Sequence, residues 1–308
     1  MSTTDETSGG GWLTGVLRTM RPHQWVKNLF VLAPLFFAQA FLEVELVVRG
    51  VAAALLFCLA AGTVYLINDI ADRHRDRRHP TKRHRPIPSG QLSVGVARIA
   101  AAAIGATSLL GALIIDLRLA AVLAGYMGMN LAYSKVLKEW AFVDVGVIAL
   151  GFVLRVIAGS LAVGVFLSEW LVLCTFLLAC FLGLGKRSHE LMLCRVGKVD
   201  QTRKGWKKYE TNQLDAGLFF VGGLTVAAYT IYALTASLPD QPLRTRHTPF
   251  ASPLLPVTIP FVVLGLARFF RLTKREKPRS PTESMLRDPL VDATVGLWGA
   301  TMLALAQW

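Results

Sequence analysis

Long apolar runs, separated alternately by short connections and by strongly charged ones, organise this chain. Nine can be read, roughly at 27–43, 47–68, 94–115, 118–134, 141–163, 168–186, 216–237, 251–271 and 289–307. A helix needs about 20 apolar residues to cross the hydrocarbon of a bilayer, and most of these runs approach that length. Within them the apolar residues are continuous and do not alternate with polar ones, which argues against a membrane β-barrel. The pattern predicts an all-α, polytopic membrane protein: a bundle of about nine transmembrane helices with cytoplasmic loops capping a central cavity.

Composition agrees. The 308 residues are 53% hydrophobic and only 17% charged, with a mean hydropathy of +0.47. The net charge of +13 raises the question of nucleic acid, and its distribution answers it. The stretch 69–93 holds seven Lys/Arg, 186–215 eight and 271–288 six, while 43–49 and 116–118 hold one each and 164–169 none. Arg244 and Arg246 are the exception, at 238–250. This is the positive-inside alternation, placing the N-terminus and the long basic loops in the cytoplasm. The basicity is topology plus attraction to anionic lipid, and no nucleic acid is needed. The expected partner is the lipid bilayer, and the expected location is the plasma (inner) membrane.

The opening "MSTTDETSGG" is polar and reads as disordered. The apolar run after "RPHQWVKN" has no small-residue cleavage site and reads as a retained helix. Residues 1–26 are thus expected to form a cytoplasmic N-terminal segment and 27–308 a single transmembrane domain. Cys58, Cys174, Cys180 and Cys194 lack metal-ligand spacing and read as small apolar side chains. His74, His79, His84 and His189 also lack it and read as loop residues.

Chemistry concentrates where the second run ends, in "NDIADRHRDRRHPTKRHRPIPSG" at 68–90. On a helix continuing from that run, Asp69, Asp72 and Asp76 at i, i+3 and i+7 share a face, with Asn68 one turn before Asp72. Carboxylates gathered in this way repel unless a cation lies among them, and Mg²⁺ accepts a few carboxylates together with phosphate oxygens and water. The alternative is a solvated helix end whose aspartates pair with Arg73, Arg75 and Arg77. Adjacency to a membrane span favours function, because carboxylates there are costly. Pro80 and Pro86 then interrupt any helix, so Lys82, Arg83 and Arg85 project from a loop and can bind phosphate oxygens, or else serve only to fix topology. Together the two halves fit a metal-bound diphosphate ester.

A weaker echo follows the sixth run: "GKRSHELMLCRVGKVDQTRKGWKKYETNQLD". Lys186 and Glu190 are i, i+4, and Arg187 and Glu190 are i, i+3, so this is either a surface ion pair or a second polar face closing the site. "RPHQWVKN" puts Arg21, Gln24, Lys27 and Asn28 where the chain first meets the membrane, with Trp25 as an interfacial anchor. Tyr133 and Lys138 fall near the turn between the fourth and fifth runs, with Asp144 just beyond. Arg155 lies well inside the fifth run. A buried arginine needs an anion, either a protein carboxylate or a ligand phosphate.

"NDIADRHRD" resembles the N-D-x-x-D-x-x-x-D motif of the UbiA superfamily of intramembrane prenyltransferases, and "HPTKRHRPIPSG" resembles the extension that follows it. Nine runs, with charged loops after the second and sixth, agree over nearly the whole chain. The typical prenyltransferase carries a second aspartate-rich motif, D-x-x-x-D, after the sixth span. Here "GKRSHEL" stands instead, with Glu190 its only acid and Asp200 and Asp215 isolated. That departure, with "RPHQWVKN" and the long basic extension, is similar to the decaprenyl-phosphate phosphoribosyltransferase branch.

The resemblance implies a donor, phosphoribosyl diphosphate, an acceptor, polyprenyl phosphate, and Mg²⁺ as cofactor, in a step toward arabinose for cell-wall polymers. It implies Asp69, Asp72 and Asp76 as metal ligands. Lys82, Arg83 and Arg85, with Asn68, would lie on the donor. Lys186, Arg187 and Glu190 would close the site, Glu190 on a ribose hydroxyl. Lys27 and Arg155 are assigned to the acceptor phosphate, and Gln24, Asn28, Tyr133, Lys138 and Tyr209 complete the substrate-binding set. A homo-oligomer is compatible with all of this. Two rivals share the pattern: a prenyltransferase moving a prenyl group onto an aromatic acceptor, and a transporter, which needs more mid-span polar residues than Arg155.

Overall fold

The computed structural model describes residues 11–135, 142–195, 211–237, 252–275, 281–285 and 287–306. Every regular element among them is helical. Six helices are long and apolar enough to cross a membrane: Val44–Ala71, Val94–Ile115, Val143–Val163, Glu169–Cys194, Asn212–Ser237 and Leu255–Thr273. Six of the nine expected runs are thereby matched. The run at 118–134 lies on a further helix, Leu117–Lys135, and the last is a shorter apolar helix, Pro289–Leu305.

The first run is not one helix. It opens as a 3-10 segment, Pro22–Leu32, and continues as the five-residue helix Ala33–Phe37. Pro34 has no N–H to give to the carbonyl four residues back, and the Ala33 N–H closes the shorter bond to Phe30 O.

The chain forms two compact units, each with its own cores. The first comprises 1–35, 41–135 and 154–164. It holds α1 (Gly11–Met20), the 3-10 segment, the start of α2 (Ala33–Phe37), α3 (Val44–Ala71), α4 (Arg73–Arg77), α5 (Pro86–Ser89), α6 (Val94–Ile115), α7 (Leu117–Lys135) and the second half of α8 (Val143–Val163). Its main core is built on small side chains, with Ala53, Ala60, Ala61, Ala112, Ala158 and Ala162 around Phe57 and Tyr126. Small residues let membrane helices approach closely where no hydrophobic force drives them together. Ser108 Oγ adds a bond to Leu56 O, 2.9 Å away, between α6 and α3.

Closest approach occurs at Gly159 of α8, where a Cβ would strike the Val31 carbonyl of the 3-10 segment. That neighbour is backbone and cannot swing away. Gly159→Ala is therefore expected to cost about 1–3 kcal/mol or more from overpacking, read as a lower melting temperature in detergent; an unchanged value would contradict the close packing.

The second unit comprises 36–40, 136–153 and 165–308. It holds the first half of α8, α9 (Glu169–Arg195), α10 (Thr211–Ser237), a 3-10 turn at Leu255–Thr258, α11 (Ile259–Thr273), α12 (Pro281–Met285) and α13 (Pro289–Leu305). Val145, Phe181, Leu184, Leu214, Leu218 and Phe269 form one core. In another, the Tyr229 hydroxyl links Thr258 Oγ1 (2.7 Å) and Trp298 Nε1 (3.0 Å).

Asp288 caps α13, accepting from the Val291 N–H, and takes two bonds from Arg268, at 3.0 and 2.7 Å. These bonds hold its carboxyl below the usual carboxylate range. A depressed folded-state value contributes stability that is present above the unfolded carboxylate range and lost as pH falls through the folded value. Asp288→Asn is expected to lower the neutral-pH melting temperature and to flatten its fall in acid. A variant with the wild-type acid profile would refute the assignment.

Candidate active site

In the first unit, the hydrogen-bond register of α3 carries past its end. The Asp72 N–H bonds Asn68 O and the Asp76 N–H bonds Asp72 O, both at 2.9 Å, so α4 follows with little break. The chain then passes through a 3-10 turn at Lys82–His84. Arg85, preceding Pro86, is extended (φ −65°, ψ 151°), as a residue before proline must be to avoid the ring. Gly90, at φ 89°, ends α5 in the left-handed conformation that favours glycine.

This return brings Arg85 back onto the aspartates. Its Nη1 donates to Asp69 Oδ1 (3.2 Å) and to Asp76 Oδ2 (2.8 Å). Asp69 Oδ1 also accepts from Arg21 Nη2 at 2.8 Å, and Lys82 Nζ lies 3.9 Å from Asp76 Oδ1. Asp69 and Asp76 are buried, only 3% and 1% exposed. Two buried carboxylates thus share three cations. Burial pushes the Lys82 ammonium below its ordinary value, opposed by Asp76.

Asp72 differs from the expectation. It is half-buried and pairs with Arg75 at 2.8 Å. The structure gathers two of the three carboxylates on one cation, and among the described residues no three His, Cys, Asp or Glu side chains form a group able to hold a metal. The reason is local: Asp72 sits at the α3–α4 junction (φ −87°, ψ 1°), with Arg75 one turn on. The Asp69–Asp76 pair still fits a hard dication. Its donors are carboxylate oxygens, and they already converge on one positive group, the Arg85 guanidinium, whose displacement toward a phosphate would leave both for a metal.

Beside this pair, Arg21 stacks on Tyr65, 4.7 Å from the ring centroid, and adopts a left-handed backbone (φ 55°, ψ 65°). That conformation is costly for a non-glycine residue and is retained where surroundings over-determine it. Gln24 Oε1 accepts from the Tyr65 hydroxyl (2.9 Å) and from Lys27 Nζ (3.4 Å). Deeper in the unit, Arg155 Nε donates to Asn28 Oδ1 (2.8 Å) and Nη2 to the Tyr126 hydroxyl (3.2 Å), and its guanidinium lies 4.8 Å from the Phe57 ring centroid. Asn28 Nδ2 in turn reaches Cys58 Sγ at 3.0 Å. The sequence offered a carboxylate or a ligand phosphate for Arg155; here an amide, a phenol and aromatic faces surround it.

Other expected residues are spread more widely. Arg83 is exposed beside His84, Asn68 lies in the last turn of α3, and Tyr133 is half-buried near the end of α7. Lys138 and Tyr209 lie outside the described residues.

In the second unit the "GKRSHEL" segment is the continuous α9, not a loop. Gly185 lies against Phe269, where a Cβ would come within 2.5 Å of Cε1, so the helix packs closely just before its charged turn. Arg187 is 7% exposed. Its Nη1 bonds Glu190 Oε2 at 2.5 Å, and its Nε pairs with Asp144 Oδ2 of α8. Lys186 Nζ stays 4.0 Å from Glu190 Oε1. The surface-pair alternative therefore gives way to a buried cation between two carboxylates. Asp215 is not isolated: it accepts from Ser188 Oγ (2.7 Å) and from Lys274 Nζ (2.5 Å). His189, expected in a loop, is buried on α9 and lies 3.0 Å from Thr273 O.

A profile of the UbiA prenyltransferase family matches residues 29–290. The chain belongs to this family. It is 34% identical over 296 residues to a decaprenyl-phosphate phosphoribosyltransferase of Mycobacterium tuberculosis, covering 94% of this chain and 93% of that protein. A protein of the same name from Mycolicibacterium smegmatis is 33% identical over 298 residues, covering 94% and 92%. The solved structure of a UbiA homologue from Archaeoglobus fulgidus, bound to GPP and Mg²⁺, shares the fold with a TM-score of 0.65 at 19% identity, over 95% of this chain and 98% of that one. Six apolar helices and family membership make this an integral membrane protein.

Proposed function

We propose that the protein transfers 5-phosphoribose from phosphoribosyl diphosphate to a polyprenyl phosphate, with release of diphosphate. The observation that carries this reading is the turn near the end of α9, where Lys186 and a buried Arg187 stand in place of an aspartate-rich motif. Whole-length similarity to phosphoribosyltransferases supports it. Two cationic side chains suit a donor with an additional phosphate better than they suit a second metal.

A phosphate oxygen of the acceptor attacks C1 of the ribose as the bond from C1 to the diphosphate oxygen breaks, and the electron pair leaves with diphosphate. The acceptor is already an anion near neutral pH, so no general base is required. The protein's work is to position two anions and neutralise the leaving group. Asp69 and Asp76, with Asp72 from the next turn, would hold Mg²⁺, which when bound offsets charge on the diphosphate. Arg85 exchanges its carboxylates for donor phosphate oxygens, aided by Lys82, Arg83 and Asn68. Lys186 and Arg187 hold further phosphate oxygens, and Glu190 takes a ribose hydroxyl. Lys27 and Arg155 face the acceptor phosphate, and Gln24, Asn28, Tyr133, Lys138 and Tyr209 complete the substrate-binding set. The finer topology proposed is nine spans in the plasma membrane, with the N-terminus and the charged loops cytoplasmic.

The test is direct. Purified protein, Mg²⁺, polyprenyl phosphate and radiolabelled phosphoribosyl diphosphate should move label into the lipid phase. Phosphoribosyl diphosphate with Mg²⁺ should also raise the melting temperature without lipid acceptor. If geranylgeranyl diphosphate stabilises the protein and prenylates an aromatic acceptor while no label moves, the aromatic prenyltransferase reading replaces this one.

A further inference from the structure

We infer that Asp144 is a positioning residue for the donor, acting through Arg187. The inference rests on the phosphoribosyl reading above and names a part of that site which the motifs do not reach.

Three features converge. Asp144 lies in the first turn of α8, away from every charged motif, yet is buried, 7% exposed. Its two oxygens are committed: Oδ1 accepts the Val145 N–H at 2.8 Å, and Oδ2 pairs with Arg187 Nε. Arg187 is held at a second point by Glu190 of its own helix, at Nη1.

A guanidinium is planar and its donors are fixed in a fork. Gripping it only from Glu190, one turn along α9, would leave the plane free to turn about that contact. A second carboxylate from another helix, ion-paired beside Nε without a directed hydrogen bond there, holds the group by charge from its other side. The two grips differ in depth. The Glu190 side chain is 27% exposed and also faces Lys186, whereas the Asp144 side chain is 9% exposed. Glu190 is the outer partner, able to yield Nη1 to an incoming phosphate oxygen, and Asp144 is the inner one that keeps Arg187 aimed while it does. Such a role affects donor binding in the ground state as much as in the transition state, so it shows in KM more than in kcat.

The test is donor kinetics of Asp144→Asn in the full-length protein in detergent, with acceptor saturating. The expected result is a donor KM raised at least about tenfold with kcat within about threefold of wild type. Adding Asp144→Asn to Arg187→Gln should give no further rise, because residues acting through one group are not additive. Asp288→Asn, which breaks a partly buried ion pair elsewhere in the same unit, serves as the control: it should lower stability and leave donor KM unchanged. A donor KM for Asp144→Asn within about twofold of wild type, or full additivity with Arg187→Gln, overturns the proposal and leaves Asp144 structural. If Asp144→Asn does not fold, Asp144→Glu replaces it. It keeps the charge but moves it by a methylene, and an unchanged donor KM there overturns the proposal equally. Failure of the wild-type protein to transfer label from phosphoribosyl diphosphate overturns the phosphoribosyl reading and this inference with it, whereas transfer by wild type with an indifferent Asp144 overturns this inference alone.

Discussion

Asp76→Asn is expected to lower turnover at least about a hundredfold, which corresponds to about 2.7 kcal/mol of lost transition-state stabilisation. Asp76 is 1% exposed and carries one of the two bonds by which Arg85 spans the carboxylate pair. The amide keeps the shape but removes the charge, so the pair loses half its hold on any cation, and Arg85 loses a charged partner. Asp69→Asn should behave alike, since Asp69 Oδ1 is the meeting point of Arg21 and Arg85. Asp72→Asn should cost less, about tenfold, because that carboxylate is half-exposed and paired with Arg75. Initial rates at several Mg²⁺ concentrations decide the matter. Near-wild-type rates for Asp69→Asn and Asp76→Asn at saturating Mg²⁺ would remove these residues from the site.

Arg187→Ala is expected to damage both folding and catalysis. It leaves Asp144 and Glu190, two carboxylates that now share one guanidinium, without their common cation. Deleting one partner of a buried ion pair costs about 3–5 kcal/mol, because the remaining charge is left uncompensated, and total stabilities are only about 5–15 kcal/mol. A large fall in melting temperature in detergent follows. Arg187→Lys separates the two effects. The ammonium keeps the charge but cannot present a planar fork to two carboxylates at once. It should therefore fold while raising the donor KM about tenfold, or about 1.4 kcal/mol. Wild-type stability and kinetics for Arg187→Ala would make the triad a decoration.

Much of this was legible along the chain. The run of apolar residues from 47 to 68 predicted a span, and α3 covers it. "NDIADRHRD" located the first cluster because its carboxylates lie within two turns of one another at the end of that span, a relation that helical spacing alone encodes. The place of Arg85 in the loop between Pro80 and Pro86 marks it as a phosphate ligand. That it bridges Asp69 and Asp76 was not legible, since it depends on where the turn at Lys82–His84 and the extended Arg85 return the chain.

The sequence places Arg21 only where the chain first meets the membrane, whereas in the structure it is a direct partner of Asp69. Its signal was the neighbouring proline, which marks a turn but not its direction. The break of 27–43 into a 3-10 segment and a short helix was hidden because hydropathy measures how apolar a stretch is, not whether Pro34 can continue its hydrogen bonds.

By itself the sequence determined an all-α membrane protein and two charged clusters that resemble a diphosphate-handling family. These are properties of neighbours within a few residues, set by helical period and by the cost of placing charge in hydrocarbon. Only the tertiary structure decided which charges meet. Asp72 turns to Arg75 while Asp69 and Asp76 share Arg85; Arg187 is buried against Asp144, and Asp215 is tied to Ser188 and Lys274. Most of those pairs lie far apart along the chain and form through the packing of one helix on another, where close contacts such as Gly159 on the Val31 carbonyl set the depth. Local pattern encodes what each segment is, while burial of one segment against another selects its partners, because a buried charge must find an opposite one wherever the fold puts it.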